Sequence, residues 1–313
     1  MGKGLSTLRR SSLWQKLKWP TLGKGTERSQ ALWAYTFLSL SVLGLFIFTI
    51  LPIIAAFGLS FVNWTLLSPP KWAGLSNFQR LLNDKYFWNA LKNTFYYVIG
   101  VMPGIAISLL LAVILNQKLR FTTLYRTLYY LPTITMWTAI ALVWRWLYSP
   151  QYGLVNWALG LIGIHGPAWL SDPHWAMPAQ IFTSWWKGAG YNMVILLAGL
   201  QGIPQIYYEA ASIDGANWWQ RFRHVTLPLL TPTIYFVVVM TFIGSFGVFA
   251  QIYIMTEGGP GQATTTIIYY LYNNAFKYFE IGYADVLAIA FFVIVFTFTV
   301  IQTQLQKRWV HYT

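Results

Sequence analysis

Eight carboxylates and four histidines leave little material for a metal cage or a catalytic cluster in this 313-residue sequence, and it has no cysteine. The histidines His165, His174, His224 and His311 are scattered, and Asp172 and Asp285 belong to no motif. Such a set supplies no metal cage. The lack of thiols excludes disulfides, thiolate nucleophiles, zinc–thiolate sites and iron–sulfur clusters. There is no Gly-rich loop ending in Lys-Ser/Thr, so the chain carries no phosphate cradle for hydrolysing ATP itself. What remains is binding chemistry: polar side chains inside long apolar stretches, and one polar segment between two of them.

Within the apolar stretches, Ser184, Gly188 and Tyr191 recur at i, i+4 and i+7, which puts them on one helical face. Lys187 and Asn192 lie beside that face. Further along come Gly244, Ser245, Gly247, Val248 and Gln251. Polar groups in lipid are costly, so those in a span should face a pore or a partner. Lys187 has two readings: it reaches a hydroxyl, an anionic group or a loop acid, or it sits shallow and snorkels outward. The glycines also suit close helix packing. Phe242, Phe246 and Phe249 read as packing rather than as stacking platforms.

The polar segment runs over residues 201–227. Pro204 suits the first turn of a helix, where its missing N–H costs nothing. A short helix to about Ile213 is expected. Asp214-Gly215 then makes a turn, with glycine free to adopt the left-handed conformation that ends a helix. A second short helix follows through Trp218–Phe222, and Pro228 opens the next apolar stretch. The result is a compact knob on which Ala210 and Ala211 keep one patch small enough for a groove to close around. The competing reading is an interfacial segment with no partner, anchored by Trp218 and Trp219.

The elements that position these groups follow from composition. Hydrophobic residues make up 56 % of the chain and charged ones 9 %, against roughly 25 % charged in soluble proteins. Residues 29–70, 93–117, 127–144, 188–208, 224–256 and 286–306 carry no charge. A spanning helix needs about 20 apolar residues. The intervals therefore predict an all-α membrane protein with six transmembrane helices, near 32–61, 93–115, 126–147, 178–200, 228–255 and 286–304. Continuous apolar runs exclude a barrel pattern. The first run is too long for the core of a cleaved signal peptide.

Charge sets the orientation. Seven of the 21 bases fall in the first 28 residues: Lys3, Arg9, Arg10, Lys16, Lys18, Lys24 and Arg28. With that tail in the cytoplasm, the inner segments also hold Lys118, Arg120, Arg126, Arg221, Arg223, Lys307 and Arg308. Fourteen bases then lie inside and seven lie elsewhere. The positive-inside rule favours both termini in the cytoplasm. A basic tail on such a chain faces anionic lipid rather than nucleic acid. The chain then divides into a basic cytoplasmic tail, 1–30, a six-helix domain, 31–306, and a cytoplasmic end, 307–313. Trp144, Trp146 and Tyr148 around Arg145 read as an aromatic belt with a snorkelling arginine. Glu257-Gly258-Gly259-Pro260-Gly261 reads as the turn that ends the fifth helix outside.

Glu209-Ala210-Ala211, three residues, Gly215, nine residues and Val225-Thr226-Leu227-Pro228 resembles the signature of ABC importer membrane subunits, EAA-x3-G-x9-I-x-LP. Val225 in place of isoleucine is the one departure. Tyr129-Tyr130-Leu131-Pro132, Trp144-Arg145-Trp146-Leu147, Trp185-Trp186-Lys187-Gly188 and Gly258-Gly259-Pro260-Gly261 are similar to the sugar-importer branch related to the maltose-transporter permease. The resemblance covers about residues 31–306.

That resemblance implies a type I ABC importer permease in a bacterial inner membrane, one half of a pathway for a sugar or sugar-like polyol. Its implied partners are a homologous second permease or a second copy, two ATPase subunits that bind ATP and Mg, and an extracytoplasmic solute-binding protein. Glu209, Ala210, Ala211, Asp214, Gly215, Leu227 and Pro228 would couple to the ATPases. Ser184, Lys187, Gly188, Tyr191, Asn192, Ser245, Val248 and Gln251 would line the path. Lys187 departs from the branch's usual uncharged group, and Val248 brings no hydrogen bond to a position that matches a sugar contact. The alternatives are a permease for another solute class, such as an amino acid or phosphate, and a membrane-embedded transferase. A secondary transporter would place coupling acids mid-span, where this sequence has none.

Overall fold

The structure is a computed structural model, and it describes residues 26–66, 68–117, 120–307 and 310. The expectations for Lys3, Arg9, Arg10, Lys16, Lys18, Lys24, Lys118, Arg308 and His311 lie outside the described residues. The chain divides into two compact units, one that ends at Ala55 and one that runs from Ala56 to Thr313.

The first unit is helical from Thr26: α1 (Thr26–Leu45), a π-helical turn (Phe46–Ile50) and the start of α2 (Leu51–Leu59). Helix therefore starts inside the expected tail. Its leucines and phenylalanines face outward along its length, Phe48 at 81 % exposure. The helical run Ser29–Leu59 is long and apolar enough to cross a membrane.

In the second unit a small hairpin comes first: β1 (Val62–Asn63) pairs antiparallel with β2 (Lys71–Trp72), with Val62 opposite Trp72. Composition gave no sign of this ribbon. It is followed by α3 (Ser76–Asn83), α4 (Lys85–Val101), α5 (Gly104–Leu115), α6 (Thr122–Ile134), α7 (Trp137–Leu147) and α8 (Leu154–Leu161). Next come α9 (Ala176–Gln201), α10 (Gln205–Ile213), α11 (Trp218–Arg221), a π-helical turn (Phe222–Thr226), α12 (Leu227–Phe246) and α13 (Ala250–Met255). The order closes with α14 (Ile267–Tyr272), a third π-helical turn (Asn273–Lys277) and α15 (Ile281–Gln306).

Among the described residues, four helices are long and apolar enough to cross a membrane: Ser29–Leu59, Lys85–Leu115, Trp218–Phe246 and Ile281–Gln306. The helix expected from 93 starts at Lys85, because Asp84 caps it by accepting from the Tyr86 amide at 2.9 Å. Lys85 and Lys92 lie within it, where a count of uncharged residues stops short. The helix expected from 286 starts at Ile281, so Asp285 is helical. The runs expected at 126–147 and 228–255 are each broken. Thr135 and Met136 are extended between α6 and α7, and Gly247–Phe249 separate α12 from α13.

The core forms around α9, which packs on α4, α5, α6 and α12. Met193, Leu196 and Leu200 of α9 join Ile105, Leu115 and Val237 in the largest buried cluster. Small residues bring the backbones close. A Cβ on Gly190 would collide with the Tyr129 carbonyl of α6, so α9 and α6 touch main chain to main chain. The Trp185 indole fills the space beside Gly104 and donates to the Gly100 carbonyl at 2.9 Å.

Candidate functional site

The knob is built as two short helices joined at a glycine. Pro204 caps α10 from an extended conformation. At the other end Gly215 has φ +76°, the Gly215 amide donates to the Ser212 carbonyl at 3.1 Å, and the Ala216 amide donates to the Ala211 carbonyl at 2.9 Å. This pair of bonds is a Schellman motif, and its left-handed residue is the reason for glycine. The second helix opens with a capping box. Asn217 Oδ1 accepts from the Gln220 amide at 2.9 Å, and Gln220 Oε1 accepts from the Asn217 amide at 2.8 Å. Arg221 Nη1 ties the two helices through Ser212 Oγ, 3.0 Å, and Tyr208 of α10 bonds Thr226 of the π-helical turn that follows, 3.1 Å.

Glu209, Ala210, Asp214 and Gly215 are exposed, and Ala211, Leu227 and Pro228 are partly so. Arg221 bonds Ser212 and not Glu209, which leaves the acid pointing outward from the knob. The sequence reading missed two side chains. Ile206 and Ile213 are 68 % and 88 % exposed on the same short helix. Both are large aliphatic groups left open to solvent on an otherwise polar knob. Their signal was available, as apolar residues bracketing Glu209-Ala210-Ala211.

The expected path residues separate into two sets. Ser184, Asn192, Ser245, Val248 and Gln251 are buried within this chain. Ser184 Oγ donates to the Gln180 carbonyl at 2.9 Å, lies 3.1 Å from Gln251 Oε1 and shares a 2.7 Å hydrogen bond with the Tyr97 hydroxyl. Asn192 bonds the Thr241 hydroxyl at 3.3 Å, and Ser245 donates to the Thr241 carbonyl at 2.6 Å. Gly188 and Tyr191 face open space, with Tyr191 40 % exposed and nothing within 4 Å of a Cβ at Gly188.

Lys187 takes a place that neither sequence reading foresaw. It is 7 % exposed, and its Nζ donates to the carbonyls of Pro132, Thr133 and Thr135 at 2.9, 3.1 and 2.7 Å. Those are the last carbonyls of α6 and of the break after it. Helix ends leave such groups unpaired, and in lipid an unpaired carbonyl is costly. All three ammonium donors are used there, and the Trp137 ring lies 5.0 Å from Nζ.

Arg145 works in the same way, with Nη1 donating to the Ile254 carbonyl near the end of α13 at 3.1 Å. Tyr148 is buried and donates to the Ala179 carbonyl at 3.1 Å, so it belongs to the core and not to an aromatic belt.

A polar cluster at the α3–α4 corner was not foreseen at all. Asp84 Oδ2 accepts from Tyr270 at 2.6 Å and from Tyr283. Partial burial tends to raise the Asp84 pKa, but the bonds from Tyr270 and Tyr283 outweigh it and hold the carboxyl below its ordinary value. Burial, followed by the bond to the Asp84 carboxylate, raises the Tyr270 hydroxyl. Arg80 lies 2.6 Å from Glu280 and 4.0 Å above the Tyr283 ring. Among the described residues, no group of histidines, cysteines or acids could hold a metal ion.

Against this geometry, residues 87–311 match the family model described as binding-protein-dependent transport system inner membrane component. The chain belongs to this family. It is therefore a membrane component of an ABC importer, and its place is the bacterial inner membrane. The permease is 41 % identical over 291 residues to a probable ABC transporter permease protein (YesP) of Bacillus subtilis strain 168, covering 91 % of this chain and 94 % of that one. It is 34 % identical to the trehalose/maltose transport system permease protein MalF of Thermococcus litoralis, covering 82 % of this chain and 87 % of that one. The permease fold matches a bacterial ABC transporter involved in the import of the acidic polysaccharide alginate. That match has a TM-score of 0.79 and 26 % identity, covering 90 % of this chain and 96 % of that one. The type I importer permease fold expected from the signature is the fold found.

Proposed function

We propose that the permease forms one half of the translocation pathway for a sugar or sugar-like polyol. It is coupled through residues 201–227 to ATPase subunits that bind ATP and Mg in its place. The reading includes six spans with both termini cytoplasmic, a homologous second permease or a second copy across the pathway, and a solute-binding protein outside. The observation that carries it is the knob. The Glu209-Ala210-Ala211 and Gly215 signature lies on two short helices locked by a Schellman motif and a capping box, with Ile206 and Ile213 left open beside it. The sugar class is supported by relatives named for trehalose and maltose, lactose and arabinooligosaccharides. It is also supported by Lys187, whose charge favoured an anionic solute only while its donors were free.

The test is reconstitution of the permease with its co-purifying subunits and binding protein in liposomes. Uptake of one neutral saccharide with binding-protein-stimulated ATP hydrolysis is the expected result. Uptake confined to amino acids or phosphate would overturn the sugar class, and absence of an ATPase from the purified complex would overturn the whole reading. Reporter fusions at Thr313 and after Gly163 should lie on opposite sides of the membrane.

A further inference from the structure

α5, α6 and α9 leave a groove of about 720 Å3 between them. That volume falls in the range of small-molecule sites, about 300–1,000 Å3. Its walls include Ile107 and Leu111 of α5, Tyr125, Leu128 and Tyr129 of α6, and Trp186 of α9, and no residue that lines it carries a charge. The backbones behind it are close: α9 meets α6 at Gly190, and the Trp185 indole lies against Gly104. Neither the expected path residues nor the knob contributes to it.

The two ends of the groove differ in charge. Toward the end of α6 the wall reaches Pro132, whose carbonyl already accepts from Lys187 at 2.9 Å. Lys187 spends its other donors on Thr133 and Thr135, so no free cation is left at that end. The opposite end is basic. Arg126 Nη2 donates to the Leu115 carbonyl at 3.1 Å, one turn of α5 beyond the lining residue Leu111, so its guanidinium reaches across to α5 there. Arg120 is exposed just before α6, with its guanidinium 5.3 Å from the ring of the exposed Phe121. Among the described residues the one ion pair joins Arg80 and Glu280, so neither Arg120 nor Arg126 has a carboxylate partner. Long side chains on a helix lean toward its N-terminus, and this carries the hydroxyl of the exposed Tyr125 toward the same end.

A recess that is apolar along its length and basic at one mouth is complementary to an amphiphile with a long apolar chain and one anionic head. We infer that the groove binds one anionic phospholipid of the inner leaflet. An acyl chain lies along α6, and the phosphate meets Arg120, Arg126 and the Tyr125 hydroxyl. The inference rests on the importer reading, whose topology puts residues 116–126 at the cytoplasmic face. Bases beside a span attract anionic lipid on that side. The recess adds a fixed place for the chain, and filling it recovers the dispersion contacts that an empty groove forfeits.

The experiment is native mass spectrometry of the purified, delipidated transporter complex, titrated with phosphatidylglycerol and with phosphatidylcholine of the same acyl chains. One phosphatidylglycerol should bind per copy of this permease, more tightly than phosphatidylcholine. Arg120→Gln and Arg126→Gln should each weaken phosphatidylglycerol roughly five-fold, the effect of one base near a membrane surface, and leave phosphatidylcholine unchanged. Leu128→Trp, which puts bulk into the recess, should weaken both lipids. Arg120 is exposed and lies outside α6, so its variant keeps the test valid if Arg126→Gln, which loses the bond to Leu115, folds poorly. Equal affinity for the two lipids would overturn the site. So would phosphatidylglycerol binding that is unchanged in both Arg120→Gln and Leu128→Trp. A Leu128→Cys variant that cross-links in full to a helix of either permease would show that protein covers the groove, and would also overturn it. A purified complex without an ATPase would remove the importer reading, while the comparison of the two lipids still decides the groove.

Discussion

The Lys187 ammonium lies 2.7 Å from the Thr135 carbonyl oxygen, across 52 residues of sequence, and closes the end of a helix that Lys187 does not belong to. A cation in the middle of α9 thereby serves α6. Its two further bonds, to Pro132 and Thr133, make it a clamp on the break in the third apolar run.

Replacing that clamp should affect folding before selectivity. Lys187→Met removes three charge-assisted bonds and strands three carbonyls, for a cost of about 2–4 kcal/mol. The expected outcome is a lower melting temperature in detergent and less assembled complex, with the saccharide preference of the remaining transporter unchanged. A shifted preference at normal stability would return Lys187 to the substrate path.

Gly215 separates a fold effect from a coupling effect. Nothing lies within 4 Å of a Cβ built there, so a side chain meets no atom of this chain, and the penalty is the left-handed backbone alone, about 1–2 kcal/mol. Gly215→Asp should leave the subunit folded and yet abolish binding-protein-stimulated ATP hydrolysis, because the added bulk meets a partner. Glu209→Gln should be mild, since an exposed ion pair contributes about 0–1 kcal/mol. Normal stimulation in Gly215→Asp would show that the knob is not the coupling element.

Tyr191 and Ser245 should behave differently from one another. Tyr191 is exposed, and Tyr191→Ala should raise the half-saturation for uptake several-fold with unchanged stability, as loss of one hydrogen bond of about 0.5–1.5 kcal/mol would. Ser245 is buried at 8 % exposure, and Ser245→Leu overpacks its site by about 1–3 kcal/mol, which confounds transport with folding. Equal uptake by wild type and Tyr191→Ala would take Tyr191 off the path.

Asp84 links the α3–α4 corner to pH. Its folded pKa lies below the ordinary 3.8, so the carboxylate's contribution is fully present above that value and disappears as pH falls through the depressed one. Asp84→Asn should therefore destabilise the subunit at neutral pH by about 1–2 kcal/mol, the lower part of the range for charge-assisted bonds, because the group is only partly buried. Thermal unfolding across pH should show the two proteins converge only in acid below 3.8. Convergence near neutral pH would contradict the two tyrosine bonds.

The knob was legible because its signals are local. Pro204, Asp214-Gly215 and the spacing to Pro228 each act over a few residues, and the helices end within a residue or two of where those signals put them. Four of the uncharged intervals fall in helices long and apolar enough to cross, with boundary errors where a lysine sits inside a helix, as at Lys85 and Lys92, whereas those at 126–147 and 178–200 fall in none of the four among the described residues. The breaks at Thr135–Met136 and Gly247–Phe249 were not legible, because uncharged composition says nothing about backbone continuity. The roles of Lys187 and Asp84 were hidden for another reason. Their partners lie 52 and nearly 200 residues away, and only the packed fold brings them together.

The contact of Gly190 with the Tyr129 main chain has a mechanical consequence. Two helices that touch backbone to backbone have no side-chain layer to shear, and the Lys187 clamp pins them a second time. α6 and α9 are thereby fastened to one another at two points, by main chain and by charge. Gly247–Phe249 offers the opposite: the α12 axis is interrupted there, and Gly247 has little beside it to fasten it.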